Sequence, residues 1–170
     1  MYNKEFIFTE IYNKKYILSP TNEEQFMYIF SNEINSINDF PIKLFQINNK
    51  FRNEIRIKNE ILRTNEFIMK DGYSIHYNYL CSNNTYLSLY ETYKMIFIKF
   101  KIKFFILKIN NENNYYSHEF RSLSNIGNKI KFNENNIEYN NTKNIFLNSI
   151  EIAHIFKMGN KYSNFFKKKK

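Results

Sequence analysis

Alanine, glycine, proline, tryptophan and cysteine are nearly missing from this chain of 170 residues, which has one Ala, three Gly, two Pro, one Cys and no Trp. The single cysteine, Cys81, excludes an intramolecular disulfide and a cysteine-rich zinc site, and it fits a reducing compartment. Long apolar runs are missing too. The most membrane-like segment, Met95 to Ile109, is interrupted by Lys99, Lys101, Lys103 and Lys108, and no stretch approaches the roughly 20 apolar residues a spanning helix needs. Met1 to Glu10 lacks the apolar core of a signal peptide. These features predict a soluble, cytoplasmic protein with no membrane partner. Arginine is the last scarcity: of four, three fall within twelve residues, at Arg52, Arg56 and Arg63.

What the chain has in excess is 29 Asn, 25 Ile and 21 Lys, together 44% of its residues. These types share A/T-rich codons, so the composition reads as base-composition drift in the coding DNA. The net charge of +9 would ordinarily suggest a nucleic-acid or anionic partner. Drift toward lysine makes it weak support for RNA. The Asn-rich segments 110–114 and 133–144 read as loops for the same reason.

Hydrophobic periodicity divides the chain into strands and two helices. Phe6–Leu18 alternates as a hairpin turning at Asn13–Lys15. Thr21 and Glu24 have the spacing of a capping box, and Phe26, Ile29, Phe30, Ile34 and Ile37 follow at helical intervals until Pro41. Lys43–Ile47, Lys50–Arg56 and Arg63–Ser74 read as strands, with a loop at Ile57–Leu62. From Tyr86 through Leu89, Tyr90, Tyr93, Ile96, Phe97 and Phe100 the period is helical. Lys103–Ile109, Tyr116–Leu123 and Ile150–Phe156 read as further strands. Antiparallel strands with two helices predict an α+β fold.

The arginine-bearing hairpin carries the chemistry. If Phe51–Arg56 is extended, Arg52, Glu54 and Arg56 share one face, with Phe51 and Ile55 on the other. On the returning strand Asn65, Phe67, Met69, Asp71 and Tyr73 share a face. Guanidinium groups grip phosphate through a planar fork that lysine cannot reproduce, and an aromatic ring stacks on a base. The combination suits a nucleotide; a solvated sheet face with scattered charges is the alternative on geometry alone.

The segment KFRNEIR followed by ILRTNEFIMKDGYSIH resembles motif 2 of class II aminoacyl-tRNA synthetases, in the form seen in the bacterial-type prolyl-tRNA synthetase family. SPTNEE (Ser19–Glu24), FPIKLFQINNKFR, YSHEF (Tyr116–Phe120) and IEIAHIFKMGNKYS (Ile150–Ser163) are similar to that family's other segments, in the family's order. The series covers nearly the whole chain. It implies a class II catalytic domain, an antiparallel sheet flanked by helices, spanning residues 1–166 as an incomplete core, with 167–170 a basic tail.

The resemblance implies ATP-dependent activation of proline to prolyl-adenylate and transfer to tRNA(Pro). Arg52 would be the catalytic residue, gripping the α-phosphate and the attacking carboxylate. Glu54 would accept from the adenine amino group, Phe67 would stack on adenine, and Arg63 would approach the phosphates. Mg2+ would enter with ATP, with no metal ligated by the protein itself. Thr21 and Glu23 match the family's contacts to the proline amine. Met69, Asp71 and Tyr73 match its proline pocket, as do His118 and His154 by segment. Helix capping for Thr21, hairpin packing for the pocket trio and a core or surface place for the histidines remain the competing roles. Arg121 has no role in this reading.

The departures from the family are as informative. Its RPR becomes Arg56–Ile57–Lys58, and an arginine becomes Asn65. The editing domain expected between Tyr139 and Ile150 is missing. Motif 1, motif 3 and the anticodon-binding domain are missing as well, and the chain ends in four lysines. The partners implied are therefore tRNA(Pro), proline, a second polypeptide carrying motif 3 and the anticodon-binding domain, and a second copy of the chain as a homodimer. The alternative function is an inactive remnant or binding module that keeps an ATP, proline or tRNA-acceptor pocket.

Overall fold

The computed structural model describes residues 6–54, 63–110, 116–131, 146–162 and 164. It contains two compact units, Met1–Tyr77 and Asn78–Lys170. Both combine helix with antiparallel strands, as the α+β expectation requires. The expected strand end with Arg56, the loop at 57–62, the Asn-rich segment 133–144, nearly all of 110–114 and the Lys-rich tail at 167–170 lie outside the described residues.

The first unit opens with β1 (Ile7–Ile11) and β2 (Lys14–Leu18), paired with Ile11 opposite Lys14. The turn is therefore the two residues Tyr12 and Asn13, one position earlier than expected. Their φ values of 49° and 59° are the left-handed pair a tight hairpin needs to match strand twist. Helix α1 (Glu23–Glu33) follows, with Glu23 and Glu24 placed favourably at the positive end of its dipole. Phe26 and Phe30, one turn apart, are its buried residues. Ile34 and Ile37 fall beyond it, and Ile37 is exposed.

The capping box expected at Thr21 and Glu24 does not form. Asn22 is the N-cap and makes no side-chain cap bond. Thr21 lies one residue before that cap, and its hydroxyl donates to the Glu23 carboxylate in a charge-assisted hydrogen bond. A capping box does occur at Ser36 and Asp39, closing the 3-10 turn Ile37–Asp39.

Strands β3 (Ile42–Phe51) and β4 (Glu66–Ile75) then pair over ten positions, from Ile42 opposite Ile75 to Phe51 opposite Glu66. The two expected strands before the arginines are thus one. It stops at Phe51 rather than Arg56 because the Asn65 side chain intervenes. Arg52 N–H still donates to Asn65 O (2.8 Å), but Glu54 N–H turns to Arg52 O (2.9 Å) and to the Asn65 side-chain Oδ1 (3.1 Å) rather than to a backbone carbonyl across the ladder.

The second unit begins with α2 (Tyr79–Lys99), capped by Asn78, whose side chain accepts from Cys81 N–H at 2.8 Å. It starts seven residues before the periodic stretch. Its end is a Schellman closure: Ile102 N–H bonds Phe97 O (2.9 Å) and Lys101 N–H bonds Ile98 O (2.9 Å). Lys101 holds the left-handed position (φ 56°) that glycine usually takes.

Strands β5 (Phe105–Asn110), β6 (Tyr116–Lys131) and β7 (Phe146–Lys157) form one sheet in that order. Both β6 and β7 are longer than expected. Register shifts follow Phe120 and Leu123, and Leu123 and Asn128 both oppose Ser149. At this bulge Gly127 has no room for a side chain, since a Cβ would lie 2.4 Å from the Ser149 carbonyl. One sheet face and α2 share the core: Tyr86, Tyr90 and Phe97 meet Phe120 and Ile155, with Tyr93, Phe104 and Ile106 around them. Phe120 is wholly buried, and a ring so placed contributes about 1.5–3 kcal/mol.

Candidate active site

Strand β4 presents its residues alternately. Phe67, Met69, Asp71 and Tyr73 face inward and are partly buried, while Glu66, Ile68, Lys70 and Gly72 are exposed. Cross-strand partners share a face, so Lys50, Asn48, Gln46 and Leu44 line the same side.

Asp71 is the hub. Its Oδ2 accepts from Gln46 Nε2 (2.9 Å) and from the Tyr73 hydroxyl (2.7 Å), and its Oδ1 lies 3.1 Å from Lys50 Nζ. Burial alone would push the carboxyl up. The hydrogen bonds from Gln46 and Tyr73, with the Lys50 ammonium beside it, outweigh it and hold Asp71 below the usual aspartate value. Burial and the adjacent Asp71 push the Tyr73 phenol far above its normal range, so Tyr73 stays neutral and donates. Its oxygen also accepts Asn22 N–H (3.2 Å), and its ring stacks on Phe26 at 4.4 Å between centroids. Thr21 and Glu23, flanking Asn22, are thereby tied to the β4 face.

Arg52 joins the two halves. Its guanidinium lies 5.4 Å from the Phe67 ring centroid, and its Nε donates to Pro20 O (3.1 Å) in the turn before Thr21. Both Nη amines are then without a protein partner among the described residues. Glu54 and Arg63 form an ion pair of 2.8 Å between carboxylate and Nε. Nine of the eleven expected site residues therefore lie in the first unit: Thr21, Glu23, Arg52, Glu54, Arg63, Phe67, Met69, Asp71 and Tyr73. Lys50 and Gln46 were not expected. Lysine is so common in this chain that its type carries no signal; the shared parity of positions 46 and 50 on β3, which continues to Arg52 just past its end, does.

The two histidines belong to the second unit. His118 points into the aromatic core, its Nδ1 2.6 Å from the Tyr86 hydroxyl and its ring edge-on to Tyr90 at 4.8 Å. His154 stacks on Phe156 at 3.8 Å and lies 3.2 Å from Glu151 through Nδ1. Glu119 and Arg121, on the β6 face away from His118, are a buried ion pair. Arg121 also donates to Ser149 Oγ (2.9 Å) and Ser149 O (2.8 Å), so it pins β7 at the bulge. Burial, then the nearby Glu151 charge, raise the Glu119 carboxyl against the pull of Arg121. Glu151 is held low: its hydrogen bond and charge contact with His154 outweigh burial.

Among the described residues, no group of three or more His, Cys, Asp or Glu side chains could hold a metal ion, and no helix is long and apolar enough to cross a membrane.

The tRNA synthetase class II core domain (G, H, P, S and T) is the family whose model matches residues 6–170, and the chain belongs to it. A proline--tRNA ligase of Buchnera aphidicola subsp. Baizongia pistaciae (strain Bp) is 40% identical over 165 residues, 94% of this chain and 28% of that relative. The proline--tRNA ligase of Buchnera aphidicola subsp. Schizaphis graminum (strain Sg) is 43% identical over 139 residues, 79% of this chain and 24% of its own. That of Blochmanniella floridana is 39% identical over 152 residues, 84% and 26% respectively. The chain thus spans about a quarter of the length of these curated relatives.

Proposed function

We propose that the chain provides the proline- and ATP-binding face of a proline–tRNA ligase acting in the cytoplasm, with tRNA(Pro) as acceptor. The observation that carries this reading is the Arg52–Pro20 hydrogen bond, because it joins the residues expected to hold ATP to the turn expected to hold proline. In the first step the proline carboxylate attacks the α-phosphorus of ATP, and pyrophosphate leaves. Arg52 turns its Nη amines to the α-phosphate and the attacking carboxylate, stabilising charge where it builds. Phe67 stacks on adenine, and Glu54 accepts from its amino group. Arg63 leaves Glu54 for the phosphates. Glu23, oriented by Thr21, pairs with the prolyl ammonium, and Met69, Asp71 and Tyr73 shape the pocket. Mg2+, when bound through the phosphates, supplies charge neutralisation there.

Proline-dependent exchange of pyrophosphate into ATP tests the reading, with the chain alone and with a second polypeptide carrying motif 3. Arg52→Ala should lower exchange by about 10²–10³-fold, and Arg52→Lys should recover little of it, for lack of a fork. Proline and ATP binding without exchange under either condition would overturn catalysis and leave a binding module.

A further inference from the structure

Lys50 is fully buried, with 0% of the residue exposed. A buried ammonium is costly unless paired, and removing its partner leaves that cost uncompensated. Among the described residues its charged contact is Asp71 Oδ1 at 3.1 Å. The geometry falls short of an aligned hydrogen bond, so the contact is chiefly one of charge. The other oxygen, Oδ2, is filled by Gln46 and Tyr73. Asp71 is therefore clamped from three sides by protein groups. The chain of contacts runs on from Tyr73 to Asn22 N–H and, by ring stacking, to Phe26 of α1.

Resting on the ligase reading, we propose that Lys50 is a positioning residue for the amino-acid pocket: through Asp71 and Tyr73 it fixes the turn that presents Thr21 and Glu23 to the substrate ammonium. With Asp71 committed to Lys50, Glu23 is the carboxylate that meets the substrate. Without Lys50, Asp71 becomes a second anion in the pocket, turning away from Tyr73 and releasing the Asn22 turn. The effect is confined to the proline side, because Arg52 holds Pro20 through its own hydrogen bond and does not depend on Asp71.

The test is calorimetric binding of L-proline and, separately, of ATP to the full chain and to Lys50→Met. Proline should bind about 10–100-fold more weakly, the scale on which loss of a group orienting a site residue is felt. ATP affinity should stay within about twofold. If the methionine variant does not fold, Lys50→Arg keeps a buried cation but displaces Asp71, and the same selective loss is expected in smaller measure. A folded variant that binds proline like the parent overturns the role of Lys50 and leaves the ligase reading standing. So does weakening of proline and ATP in equal proportion, which would mark general loosening. A parent chain that binds no proline overturns the ligase reading, and this inference with it.

Discussion

Arg63 Nε lies 2.8 Å from the Glu54 carboxylate, so two residues expected to hold opposite ends of one nucleotide hold each other instead. Arg63 is 40% exposed in its side chain, and the pair contributes only about 0–1 kcal/mol. It is therefore easily exchanged for contacts to ATP. Arg63→Ala should shift the melting temperature by no more than about 2–4 °C, while raising the KM for ATP in pyrophosphate exchange and leaving that for proline unchanged. A large loss of thermal stability would show that the pair is structural.

Acid should weaken the first unit through Asp71. Its carboxyl sits below the unfolded value of about 3.9, so its contribution is complete above that pH and is lost as pH falls through the folded value. Asp71→Asn removes the contribution at every pH and leaves Lys50 buried without a charge partner. The gap in urea midpoint between parent and variant should be wide at pH 7 and should narrow below about pH 4. Glu119 acts in the opposite sense. Raised in the folded state, it favours folding when protonated and opposes it as pH climbs from about 4.3 through its folded value.

In the second unit, Arg121→Met should destabilise by about 3–5 kcal/mol, because it strands Glu119 in the interior and frees Ser149 from two hydrogen bonds. Replacing Glu119 with Gln in the same molecule should recover part of that loss. Chemical denaturation of the two variants gives the comparison; equal losses would mean that the charge pair is not the cause.

Lys101→Gly should stabilise the chain by about 1 kcal/mol, since the left-handed backbone at the end of α2 costs lysine roughly that much. The expected sign is a higher urea midpoint. A lower one would mean that the lysine side chain offsets its backbone strain.

Much of the site was legible in the sequence because one physical rule, side-chain alternation, survives compositional drift. Phe67, Met69, Asp71 and Tyr73 face one way whatever codons fill the positions between them. Lys50 was not legible, since a buried lysine is spelled like the many solvated ones. The start of α2 was hidden by Ser82, Asn83, Asn84 and Thr85, which are weak helix formers held by packing and by the Asn78 cap. The far end of β6 read as loop because Ser124, Asn125 and Asn128 carry no strand pattern. Its pairing depends on contacts with β7, which no local window contains.

The ten-position pairing of β3 with β4 leaves the site dependent on a single integer. Slipping that ladder by one residue would turn β4 over against its partner, bringing Glu66, Ile68, Lys70 and Gly72 to the inner face. No ring would then lie under Arg52, and the place of Asp71, opposite Gln46, would pass to Lys70 or Gly72. Lys50 and Asp71, unable to part cheaply, thus penalise the wrong alignment as well as stabilising the right one. In a chain drifting toward lysine and asparagine, that pair preserves the count.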